Sequence, residues 1–114
     1  MFSWIHKLLG INAPPVKRLN ALEAKALIDR GALLLDVRTP LERKGDKIPG
    51  SRAIPLAELA GAWEKLPKDR EIVCQCASGG RSQQAASFLA GKGFTTYNLA
   101  GGISAWKAAG LPVK

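Results

Sequence analysis

The chain has 114 residues, enough for one domain around one hydrophobic core. A hydrophobic content of 46% and a mean hydropathy near zero exclude a disordered chain, and no apolar run approaches the length that a membrane span requires. The formal net charge of +8 favours anionic partners, but the lysines and arginines are scattered and form no recognised nucleic-acid motif, so a small anion is expected rather than nucleic acid.

In chain order, Phe2, Ile5, Leu8 and Leu9 recur at helical spacing, which predicts a short helix within Met1–Asn12. The bland expectation packs it on the domain. The sharper one lays it on a membrane or partner with Trp4 as anchor. Pro14-Pro15 ends it as a stiff connector, so the chain divides into a helical extension over 1–15 and a single domain over 16–114. A secretory leader would need a longer apolar run and a small-residue cleavage site, so a cytoplasmic location is expected.

Val16–Leu19 reads as a short edge strand. Asn20 precedes Glu23 by three residues, a capping box that opens a helix over Ala21–Arg30, with Leu22, Ala26 and Leu27 expected inward and Gly31 as its stop. Ala32–Val37 is a continuous apolar run of the kind buried on both faces of a parallel sheet. Thr39 caps the next helical turn, with Pro40 first and Glu42 third, and Arg43–Lys47 reads as a charged loop. Ile48-Pro49-Gly50 is a turn and Ala53-Ile54 a short strand. Ala57–Leu66 reads as a helix with Leu59, Trp63 and Leu66 inward, ended by Pro67.

Glu71–Gln75 is the central strand, and Arg81–Gly91 the helix that follows it, with Ala85, Ala86 and Leu89 inward. Thr95–Asn98 is the last strand. Gly101-Gly102 turns the chain into a helix over Ile103–Ala109, with Ile103 and Trp106 inward. Strands alternating with helices predict an α/β fold, a central parallel sheet of about five strands with helices on both faces. Ligands of such sheets bind beyond the carboxyl ends of the strands.

At one such end lies Cys76-Ala77-Ser78-Gly79-Gly80-Arg81-Ser82, a thiol and a guanidinium joined by residues that curl tightly. A loop of this kind opening onto a helix N-terminus cradles anions, and a cysteine at its mouth supplies the anion itself as a thiolate. Cys76 is therefore the expected nucleophile, with Ala77, Ser78, Gly79, Gly80 and Arg81 as the cradle. The bland alternative, an inert core cysteine, needs neither the glycines nor the arginine. Arg81 is expected to hold an anion or organise the loop, and Ser78 and Ser82 to cap the helix or donate to sulfur. Cys74, two residues earlier, is either a packed core residue or a resolving thiol. Two cysteines make no disulfide framework, and with His6 as the lone histidine they make no zinc site. Neither a metal nor a cofactor is expected.

Cys76–Ser82 resembles the active-site loop of the rhodanese-like sulfurtransferases. Leu35-Asp36-Val37-Arg38, Ile48-Pro49-Gly50-Ser51 with Ile54-Pro55-Leu56, and Tyr97-Asn98-Leu99 through Gly101-Gly102-Ile103 to Trp106 agree with that family in order and spacing, so the resemblance spans about Val16 to Val113. It implies the same α/β architecture and a sulfane-sulfur transfer from a donor such as thiosulfate, through a Cys76 persulfide, to a thiol, to cyanide or to a protein acceptor. It implies a supporting role for Asp36 and Arg38 beside the loop, joined by Ser82, and a structural one for Glu42. Lys47 stands where the family often has histidine, and Lys44 and Lys47 either add positive potential near the mouth or are solvated surface. Two alternatives stay open: a persulfide carrier or binding module that turns thiosulfate over poorly, and phosphatase or arsenate-reductase chemistry. Related phosphatases and arsenate reductases hold one more residue between cysteine and arginine than the four present here, which favours sulfur over phosphate.

Overall fold

The structure is a computed structural model that describes residues 15–114, so the helix expected within Met1–Asn12 lies outside the described residues. Five strands, β1 (Lys17–Leu19), β2 (Leu33–Asp36), β3 (Arg52–Ala53), β4 (Ile72–Gln75) and β5 (Thr96–Leu99), pair in parallel throughout. Their order across the sheet is β1-β5-β4-β2-β3, which puts β4 at the centre and β1 at an edge. The helices are α1 (Ala21–Asp29), α2 (Pro40–Gly45), α3 (Leu59–Ala62), α4 (Gly80–Gly91) and α5 (Gly102–Ala108).

The two-residue period of the strands sorts the core into two layers. Leu33, Leu35, Ile72, Cys74 and Cys76 pack against Ala85, Ala86 and Leu89 of α4 on one face. Leu34 and Val73 pack with Ala21 and Ala24 of α1 and with Ile103 and Trp106 of α5 on the other. The alanines of α1 and α4 keep both helices close to the sheet. Each fully buried Leu, Ile or Trp side chain contributes roughly 1.5–3 kcal/mol. The expected α/β architecture is present: a five-stranded parallel sheet covered by helices on both faces.

Both capping boxes form. The Asn20 carboxamide accepts from the Glu23 N–H while Glu23 accepts from the Asn20 N–H, and Thr39 and Glu42 do the same at the head of α2. Three expectations about helices change. In α1 the buried face is Ala21 and Ala24, with Leu27 and Ile28 half-buried behind them, whereas Leu22 is 64% exposed and Ala26 also faces out. Residues at i, i+3 and i+7 share a helix face, and the smaller pair was the one that let α1 approach the sheet. The expected charged loop at Arg43 is the end of α2, which runs through Gly45 before the chain leaves it. The helix expected over Ala57–Leu66 is broken into a 3₁₀ turn at Leu56–Glu58, the single α-turn of α3 and a second 3₁₀ turn at Trp63–Lys65. No side chain caps any of the three. Leu59 and Leu66 are still buried and Trp63 half-buried, so the apolar spacing was met by a tighter coil than the α-helix.

Candidate active site

The loop leaves β4 after Gln75 and enters α4 at Gly80. Gly79 is its N-cap at φ +111°, a left-handed conformation suited to glycine. That twist turns the Gly79 N–H back onto Cys76, with N to Sγ at 3.0 Å. The Ser82 hydroxyl reaches the same sulfur at 3.3 Å. Burial opposes ionisation of Cys76, but donation from the Ser82 hydroxyl and from the N–H groups of Ser82, Gly79 and Ser78 outweighs it and holds the thiol below its ordinary value. Cys76 is only 1% exposed.

Cys74 lies on the same face of the sheet, wholly buried in the same apolar layer. Burial, reinforced by the charge on Cys76, pushes its thiol up to about 12. The two thiols, two residues apart, thus have opposite tendencies, and Cys74 has the surroundings of the packed core residue.

The loop is gripped from three sides. From α5, the N–H of Ile103 donates to the Cys76 carbonyl at 2.9 Å and that of Ser104 to the Ala77 carbonyl at 3.4 Å. Gly102 makes this approach sterically possible, since a Cβ there would lie 2.4 Å from the Cys76 oxygen. Gly102 was read only as part of a turn, but its position demands a residue without a side chain. From β5, the Asn98 amide nitrogen donates to the Gly79 carbonyl at 3.1 Å. From α2, Glu42 takes both Nη atoms of Arg81 at 2.8 Å each. Hydrogen bonding to Arg81 holds the Glu42 carboxyl well down, at about 2. Arg81 is thereby committed to an intramolecular carboxylate, which supports the loop-organising reading over direct anion binding. Glu42, read as a structural helix-start acid, does that and also ties α2 to α4.

Asp36 and Arg38, at the end of the neighbouring strand, are both buried. The Arg38 N–H and guanidinium donate to Asp36, and Arg43 adds a second cation at 2.7 Å. This buried cluster braces the connection from β2 into α2, the helix from which Glu42 projects. Ser78 lines a shallow pocket beside the loop with Arg18, Gln83 and Asn98. A second pocket of about 490 Å³ opens at the ends of β2 and β3, where Lys44 and Lys47 join Arg38 and Arg43 around a floor of Pro40 and Pro55. Lys44 and Lys47 form no ion pair among the described residues. In the sequence Asn98 stands out only as part of Tyr97-Asn98-Leu99, with no task attached. Its task depends on β5 lying beside β4, which no local pattern announces.

A family model described as the rhodanese-like domain matches residues 20–109. A sulfurtransferase of Allochromatium vinosum is 38% identical over 101 residues, covering 83% of this chain and 94% of the relative. The thiosulfate sulfurtransferase GlpE of Pseudomonas syringae pv. syringae is 35% identical, over 80% of this chain and 87% of the relative. Among solved structures, a rhodanese-related protein from Thermoplasma volcanium superposes with a TM-score of 0.81 at 35% identity, covering 86% of this chain and 97% of that one.

Proposed function

This chain belongs to the rhodanese-like domain family, and from that membership we propose that it is a sulfurtransferase that works through a Cys76 persulfide. The observation that carries the proposal is the sulfur of Cys76 held by the Gly79 N–H and the Ser82 hydroxyl in a four-residue loop closed by Arg81. The Cys76 thiolate attacks the outer sulfur of a donor such as thiosulfate. The S–S bond breaks, sulfite leaves with its electron pair, and Cys76 carries the transferred sulfur as a persulfide anion. An acceptor thiolate or cyanide then attacks that outer sulfur, and the Cys76 thiolate is the leaving group. This is double displacement with a covalent intermediate. The preorganised N–H groups of Ser78, Gly79 and Ser82 stabilise each anionic state without a general base.

The near-complete burial of Cys76 supports small donors and acceptors. Both cysteines are unpaired, which supports a reducing, cytoplasmic setting. The four-residue spacing supports sulfur over phosphate as the group cradled. The deciding experiment is the intact mass of the protein after thiosulfate treatment, for the unsubstituted chain and Cys76→Ser. A gain of one sulfur in the former alone supports the proposal. No gain with thiosulfate, but a gain with a protein-bound persulfide, supports the carrier reading in its place, and turnover of phosphate esters instead overturns both.

A further inference from the structure

Asn98 sits on β5, directly across from Cys74 in the β4–β5 register. Its amide nitrogen donates to the Gly79 carbonyl and to the Gln83 side-chain oxygen, each at 3.1 Å. The Gly79 carbonyl fixes which way the carboxamide faces, because the reversed group would set its oxygen against that backbone oxygen. The Asn98 Oδ1 must therefore face the Ser82 hydroxyl, and it lies 2.7 Å away. A carboxamide oxygen only accepts, so Ser82 is the donor in that contact. The same hydroxyl lies 3.3 Å from Cys76 Sγ, and it has one proton.

The two contacts are compatible in one protonation state and compete in the other. When Cys76 is a thiol, its S–H donates to Ser82 while Ser82 donates to Asn98, and every group is satisfied. When the sulfur is anionic, the Ser82 hydroxyl can join the Gly79 N–H as a donor to it only by turning away from Asn98. The Asn98 oxygen, in a residue that is 4% exposed, then loses its partner, which is costly for a buried acceptor. We infer that Asn98 is a positioning residue that competes with Cys76 for the Ser82 proton and so sets the basicity, and with it the nucleophilicity, of the sulfur. A more basic thiolate is the stronger nucleophile and the poorer leaving group, but less of the sulfur is ionised below its midpoint, so Asn98 trades the population of thiolate against the strength of each one.

The charged and titratable groups around Cys76, including Arg18 of β1 in the pocket beside Ser78 and Asn98, are the same in every variant compared below, so a change between variants is not theirs. On α4 and α2, Arg81 is neutralised by Glu42. On β2, Asp36 is neutralised by Arg38 and Arg43. On β4, Cys74 stays a neutral thiol. On β5 the group facing the site is the uncharged carboxamide itself.

The inference rests on Cys76 as the nucleophile, but alkylation reads its thiolate whether or not sulfur is transferred, so the two proposals fail separately. The rate of iodoacetamide modification at Cys76 is followed against pH for the unsubstituted chain, Asn98→Leu, Ser82→Ala and the double variant. Asn98→Leu is expected to lower the midpoint by about one pH unit, a tenfold rise in thiolate below it. Ser82→Ala is expected to raise it, and adding Asn98→Leu to Ser82→Ala is expected to change nothing further. A midpoint that does not fall, or that falls equally with and without the Ser82 hydroxyl, overturns the inference, since a merely structural Asn98 acts the same in both backgrounds. Where Asn98→Leu does not fold, the carbon shift of the Asn98 carboxamide is followed by NMR in the unsubstituted chain and in Ser82→Ala. It should titrate with Cys76 in the first and not in the second. A flat profile in the unsubstituted chain sinks the idea.

Discussion

Arg81 and Glu42, 39 residues apart in the chain, meet as two parallel hydrogen bonds of 2.8 Å each. The pair fastens the start of α4, and so the end of the cysteine loop, to α2. The folded chain holds the Glu42 carboxyl at about 2, below the ordinary 4.5. A depressed carboxyl stabilises the fold above its unfolded value, and the contribution is lost as pH falls from about 4.5 through about 2. Both side chains are about a third exposed, so solvent weakens the pair. Glu42→Gln is therefore expected to lower thermal stability modestly at neutral pH, and the deficit should shrink as pH falls from about 4.5 through about 2. An acid limb identical in the two proteins assigns that limb to other carboxylates.

Cys76→Ser is expected to cut sulfur transfer by at least about a thousandfold, because the covalent intermediate is lost, with an unchanged circular dichroism spectrum. Cys74→Ala is expected to keep transfer within a few-fold and to lose stability, by about 1–3 kcal/mol for a small buried side chain. Loss of transfer in Cys74→Ala with a stable fold would instead make Cys74 a working thiol.

The pH dependence of alkylation separates the two cysteines. Cys76 lies below the ordinary thiol value and Cys74 is pushed up to about 12. Modification near neutral pH should fall on Cys76 alone, and Cys76→Ser should stay unmodified until the chain is unfolded. Peptide mapping that finds both thiols modified together in the folded protein contradicts the cradle.

Gly102→Ala and Gly91→Ala make a paired test of the grip on the loop. At Gly102, φ is +61° and a Cβ meets the backbone of Cys76 and Ala77 at 2.4–2.6 Å. Replacing it is expected to cost more than about 2 kcal/mol and to lower transfer as the loop shifts. At Gly91, the last residue of α4, a Cβ meets nothing within 4 Å, and alanine is expected to stabilise by up to about 1 kcal/mol. Chemical denaturation of the two variants decides this, and equal midpoints contradict the close approach.

The Lys44 and Lys47 ammonium groups are expected to draw in anionic donors. Lys44→Glu with Lys47→Glu should lower kcat/KM for thiosulfate several-fold at low ionic strength, and the deficit should shrink as salt is raised toward about 1 M, where the screening length is about 3 Å. A deficit independent of salt points to a shape change rather than to charge.

What was legible in the sequence was local. The two capping boxes, Asn20 with Glu23 and Thr39 with Glu42, lie within one helical turn, and both form. The Cys76–Ser82 loop is a contiguous stretch, so its place between strand and helix could be read directly. Contacts that depend on strand order could not be. Asn98 reaches Gly79 and Ser82 because β5 is inserted between β1 and β4, and the grip of Arg81 on Glu42 depends on α2 and α4 meeting at one rim of the sheet. Leu22 faces outward because alanine permitted a closer approach than leucine, a choice settled by packing rather than by periodicity.

The hydrogen bonds from Ile103 and Ser104 to the loop carbonyls carry a consequence for timing. The Cys76 thiol lies about two-thirds of the way along the chain, but part of its scaffold is supplied by the last helix. A polypeptide emerging during synthesis carries the cysteine well before it carries the residues that hold the loop in shape. Through that interval the Cys76 and Ala77 carbonyls lack these partners, and the loop takes its final shape only when α5 docks. The shape of the cysteine loop is thus tied to completion of the fold, because its last restraints come from the last helix to be made.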